Sequence, residues 1–208
     1  MQTAERKVVA SVRATNRRRL TQVLTDGGTR GNQQLTSLTG ATLVVLLAVL
    51  GVTIVRIGQL TWLHLFLGLV LLGPIAVKLT STGYRFVRYY TNDAAYRSQG
   101  PPETSLRMLA PLVVASTLVV FISGMLLLLA GPRGRDRLLP LHKISFIVWL
   151  VFTGLHVLGH LPRMARDLRT IPDSPGAAGR WIALAGSLVA GVVVAVALIP
   201  QFAAWTGR

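Results

Sequence analysis

Three of the chain's four histidines fall in one oily stretch, "LHKISFIVWLVFTGLHVLGHL", residues 141–161. Neutral imidazole is the commonest protein metal ligand, so the spacing of these side chains decides what they can hold. His156 follows His142 by 14 residues; on an α-helix that is about 40° short of a whole number of turns and roughly 21 Å of rise. His160 follows His142 by 18 residues, which returns to the same azimuth about 27 Å along the axis. One helix face thus carries an imidazole near each end. The fourth histidine, His64, opens a second apolar stretch, "LHLFLGLVLLGPIAVKLTSTGYRFVRYY", and Lys78 follows it by the same 14 residues. On parallel helices His64 comes level with His142, and Lys78 with His156. Two donor pairs at two depths suit two stacked haems, each iron held on both axial sides. Six-coordinate iron leaves no site for oxygen or substrate, so the chemistry is electron transfer.

These residues need elements that lie in lipid, and the composition supplies them. Hydrophobic residues make up 51% of the chain and charged residues 14%, with a mean hydropathy of +0.55. That balance belongs to an integral membrane protein rather than a soluble domain. Apolar runs of about 20 residues, enough to cross roughly 30 Å of hydrocarbon, predict an all-α bundle of five transmembrane helices. They are Leu35 to Val55, Leu60 to Leu79, Leu109 to Ala130, Leu141 to Leu161 and Trp181 to Ile199. No period-two alternation points to a barrel. The seven carboxylates (Glu5, Asp26, Asp93, Glu103, Asp136, Asp167, Asp173) all fall outside these runs. Proton relay by Asp or Glu inside the bilayer is therefore not expected.

The net charge of +15 would suit nucleic acid, but its distribution is a topology signal instead. Arg6, Lys7, Arg13, Arg17, Arg18, Arg19 and Arg30 precede the first run. Arg85, Arg88, Arg97 and Arg107 follow the second, and Arg163, Arg166, Arg169 and Arg180 follow the fourth. By the positive-inside rule these segments are cytoplasmic, which puts the amino terminus inside a bacterial-type cell membrane and the tail outside. The organisation expected is a basic cytoplasmic segment at 1–34, amphipathic on the leaflet or disordered, a transmembrane domain at 35–200 and a short outer tail at 201–208. The loop "GPRGRDRLLP" runs against the rule, since Arg133, Arg135 and Arg137 then face outward. The first run reads as a signal anchor, because "GVTIVRIGQL" offers no small-x-small cleavage site. With no cysteine in the chain, disulfides, zinc thiolates, iron–sulfur clusters and thioether-attached haem are excluded. No phosphate-binding glycine loop and no internal repeat is evident.

A porphyrin needs backbone that recedes, and Gly68, Gly154, Gly159 and Gly124 lie where a ring edge or a close helix would pass. Arg56 near the outer pair, with Arg163 and Arg166 near the inner one, would neutralise propionates, although arginines at helix ends also simply snorkel. The 14-residue histidine spacing resembles that of di-haem membrane cytochromes b, including the membrane subunits of formate dehydrogenases and hydrogenases. The two quoted stretches are also similar to the cytochrome portion of membrane-linked molybdopterin oxidoreductases. The resemblance covers about half of the chain and implies b-type haem between spans two and four, a quinone or redox-protein partner, and assembly as a homo-oligomer or within a larger redox complex. It also implies four histidine ligands, and here Lys78 stands in the fourth position. Either Lys78 completes the inner iron as a neutral amine, or His160 does while Lys78 snorkels. "GYRFVRYY" reads as an interfacial belt of aromatic and arginine residues. Two other functions remain open from the residues alone: a transition-metal transporter, whose ligands would converge at one depth, and a haem-free membrane anchor or assembly protein.

Overall fold

The structure, a computed structural model, describes residues 28–98, 100, 104–170 and 174–206. Among these the chain is all-helical. Its elements are α1 (Gly28–Val55), α2 (Ile57–Val70), α3 (Leu72–Tyr90), the single turn α4 (Ala94–Arg97), α5 (Thr104–Ala130), α6 (Arg135–Thr170), α7 (Ala177–Ala197) and α8 (Ile199–Thr206). A 3-10 turn spans Gly131–Gly134. Four stretches are long and apolar enough to cross a membrane: Gly28–Val55, Ile57–Tyr90, Arg107–Thr170 and Ala177–Ala197. The basic segment expected over 1–34 lies outside the described residues up to residue 27, and its last residues are the first turns of α1.

The second expected run lies within one apolar span, Ile57–Tyr90, whose helix skips a ladder bond near its middle. α2 ends at Val70 and α3 begins at Leu72, with Leu71 joining them. Pro74 has no N–H to give the Val70 carbonyl four residues back, so the ladder is interrupted there. The freed carbonyl meets α7: a Cβ built on Gly191 would lie 2.2 Å from Val70 O, and one on Gly73 would lie 1.8 Å from Ser187 O. Backbones approach this closely only because neither glycine has a side chain.

α1 folds back on α2 and α3 along its whole length. Thr53 meets His64 at one end, and Thr36 Oγ1 meets Ser81 Oγ at 3.0 Å at the other. α6 also runs antiparallel to α1, with Asp167 near its carboxyl end accepting from Ser37 Oγ at 2.6 Å and Gln33 Nε2 at 3.0 Å. Hence α2, α3 and α6 point the same way. α5 lies antiparallel against α6, where Trp149 Nε1 donates to Thr117 Oγ1 at 3.0 Å and Ser123 meets Ser145 at 3.2 Å. A positive φ of 62° at Gly131 starts the turn between them, a conformation glycine adopts at little cost.

The bundle's distribution of side chains suits lipid. Gln34, Thr39, Thr53, Ser123 and Ser145 are buried, while Val52, Ile144, Ile147, Leu158 and Val193 are exposed. An apolar cluster of Leu69, Val70, Leu128, Ala195 and Phe202 closes the end that carries His64. Phe202 belongs to α8, so residues expected as a plain tail form a helix that packs. Its ring stands edge-on to Trp62 at 5.8 Å, and Trp205 Nε1 reaches Leu128 O at 3.4 Å.

Candidate functional site

The chemistry-bearing side chains separate into two groups at opposite ends of the bundle. At one end α2 supplies His64 and α6 supplies His142, and the two imidazoles are close enough to act on each other electrostatically. Both rings are partly buried. His64 Nδ1 lies 2.9 Å from Thr53 Oγ1 of α1, and His142 Nδ1 lies 3.1 Å from Ser123 Oγ of α5. The His142 ring also lies against α5 at Gly124, where an added Cβ would come within 3.0 Å of Cε1. Each histidine is thus oriented by a hydroxyl from a neighbouring helix.

At the other end Lys78 acts electrostatically on His156, as does His160. The two imidazoles are one turn apart on α6, with ring centroids 4.5 Å apart and planes tilted by 54°. Lys78 Nζ donates to Thr36 O at 2.7 Å and lies over Gly40 of α1, where a Cβ would meet the nitrogen at 2.9 Å. His156 Nδ1 and Thr153 Oγ1, one turn apart, are buried without a hydrogen-bond partner. His142 thus acts on His64 at one end, and Lys78 on His156 at the other, with His160 one turn beyond His156.

A haem iron asks for neutral donors from two helices with room for the ring between them. The His64–His142 pair supplies the donors, one imidazole from each of two helices. Both Nδ1 atoms are engaged on the side away from ligation, the usual arrangement for a metal-binding imidazole. The second group fits less completely. Lys78 is compatible with ligation only as the amine, which can donate one N–H to Thr36 O and keep its lone pair. Its competitor His160 is already in ring contact with His156.

The arginines expected beside these groups are at the right ends. Arg56 is exposed at the junction of α1 and α2, and Arg163 Nη2 donates to Gln33 Oε1 at 3.3 Å. Gly68 and Gly154 meet nothing within 4 Å of an added Cβ, so neither is required by a neighbouring side chain. Sequence reasoning missed Thr53, Ser123 and Gly40. Nothing local marks them, because each meets its partner only after two helices have folded together. It also missed the polar turn Asn32, Gln33, Gln34, Thr36 and Ser37, whose side chains fasten α3, α6 and the segment entering α7. That row of amides and hydroxyls ahead of an apolar run is a signal that was available. Among the described residues, no three or more His, Asp or Glu side chains gather as a metal cluster. No protein-family model, curated protein or solved structure matches the chain.

Proposed function

We propose that this chain is a membrane cytochrome that carries electrons between the two faces of a bacterial-type cell membrane through b-type haem, without bond-making catalysis of its own. The observation that carries the reading is the His64–His142 pair: two imidazoles from different helices at one end of the bundle, near enough to interact electrostatically, each with Nδ1 in contact with a hydroxyl. Haem held by two such imidazoles would supply one-electron chemistry. His64 and His142 would hold one such group. His156, with Lys78 or His160, would hold a second. Arg56 and Arg163 lie at the two ends where propionate charge would need balancing.

The α5–α6 pair is read as two crossings joined by a short turn, which makes five crossings in all and puts the amino terminus in the cytoplasm. A quinone or a redox protein would exchange electrons at each face, and a homo-oligomer or a larger redox complex would house the chain. Transition-ion transport asks for several ligands at one depth, whereas these donors divide between two ends.

The test is the colour of the purified protein. A reduced-minus-oxidised spectrum should show a b-type α band with two haems per chain, and His64→Ala or His142→Ala should remove one low-spin component while the protein still inserts. Full haem content in both variants would overturn the ligand assignment, and a colourless protein from haem-replete cells would overturn the function.

A further inference from the structure

The hydroxyls that touch the two imidazoles have already committed their protons. Thr53 is 1% exposed, and its Oγ1 donates to Leu50 O at 2.6 Å. A hydroxyl has one hydrogen. The hydrogen in the 2.9 Å contact between Thr53 Oγ1 and His64 Nδ1 must therefore come from the imidazole. The same count applies on α5. Ser123 Oγ donates to Val120 O at 3.0 Å, and Ser145 Oγ donates to His142 O at 2.9 Å. Only His142 Nδ1 remains to bridge its 3.1 Å contact with Ser123 Oγ. The Val120 carbonyl stands beside the same ring as a second acceptor.

We infer that Thr53 and Ser123 are positioning residues that hold His64 and His142 as the Nδ1–H tautomer, so that each ring offers its lone pair at Nε2. The inference rests on the haem reading above and deepens it. A neutral histidine otherwise favours the opposite tautomer, with the proton on Nε2, and would have to rearrange before ligating through that atom. The bundle fixes both ligands in the competent form in advance. Two different helices, α1 and α5, supply the two acceptors, so the site's readiness depends on the packing of four helices. The second group lacks the device, because His156 Nδ1 is buried with no such acceptor. A hydrogen bond accepted from Nδ1–H also makes a ligated imidazole a stronger donor, which favours the ferric state.

The closing experiment has two readouts on the full-length protein. In protein loaded with haem, Thr53→Val and Ser123→Ala should raise the midpoint potential of the component lost in His64→Ala, and loosen that haem by about 10-fold or more. Thr53→Ser and Ser123→Thr should restore both. In protein produced without haem and labelled with 15N-histidine, nuclear magnetic resonance should find His64 and His142 protonated on Nδ1, with the proton moving towards Nε2 in the Val and Ala variants. Haem bound with potentials unmoved and Nε2 protonated would overturn the inference and leave the function standing. Absence of haem with Nδ1 protonated would overturn the function and leave the wiring standing. If the variants fail to insert, the tautomer of the unsubstituted chain decides alone.

Discussion

A methyl group at position 124 would sit 3.0 Å from His142 Cε1 and 3.4 Å from Nδ1, so Gly124→Ala forces the ring to give by a few tenths of an ångström. Moving a ligand off its rotamer costs about 0.5–1.5 kcal/mol. If the chain binds haem as proposed, the expected outcome is three- to ten-fold faster loss of the haem at His64 and His142, measured by transfer to apomyoglobin, with the second haem unaffected. At the opposite end Gly40 has the same relation to Lys78, whose nitrogen would lie 2.9 Å from the new Cβ. On the proposed haem reading, Gly40→Ala and Lys78→Ala should therefore disturb the second haem alike, and Lys78→His should restore its six-coordination. An unchanged spectrum in Lys78→Ala, with loss in His160→Ala, would hand the iron to His160. The candidate donors were legible in the sequence because a spacing of 14 is a property of single helices. Their orienting partners were not, since Thr53, Ser123 and Gly40 acquire meaning only across helix pairs.

Helix existence followed directly from apolar run length, but helix ends and joints did not. α6 spans Arg135–Thr170 where the apolar run suggested Leu141 to Leu161, because its charged ends continue the helix beyond the oily part and carry Asp167 to Gln33 and Ser37. The joint at Leu71 was also hidden, although "LLGPIA" contains both causes of it: a proline that cannot donate and a glycine that lets α7 approach. The Ser187 and Gly191 pair on α7 has the small-xxx-small spacing that marks close helix contacts. Substituting either glycine has no local escape, since the atoms met are backbone carbonyls at 1.8 Å and 2.2 Å. Gly73→Ala and Gly191→Ala are each expected to destabilise the bundle by about 1–3 kcal/mol, read as a lower thermal midpoint in detergent. Because both push α7 away from the α2–α3 joint, their effects should fall short of additive. Gly68→Ala and Gly154→Ala, which meet no neighbour within 4 Å, should leave that midpoint nearly unmoved.

Seen as a whole, the molecule carries positive charge at both ends, and on the proposed topology the end with His64 and His142 is the anomalous, outward one. Arg56, Arg133, Arg135, Arg137 and Lys143 are all exposed there, with Asp136 the exposed acid among them. A membrane protein gains no topological advantage from cations on its outer face. A rim of like charge beside a redox group instead raises the local concentration of anionic partners and speeds their encounter. Screening shortens the reach of that field from about 10 Å at 0.1 M salt to about 3 Å at 1 M. Oxidation of the reduced protein by an anionic mediator added from this face should thus slow as salt rises, while oxidation by a cationic mediator should quicken. In a variant with Arg133, Arg135 and Arg137 all replaced by Gln, the anionic rate at low salt should drop several-fold, and the two salt curves should converge near 1 M. Parallel curves for the native and substituted proteins would mean that these arginines steer nothing, and that the charge of this rim serves the fold or the lipid headgroups instead.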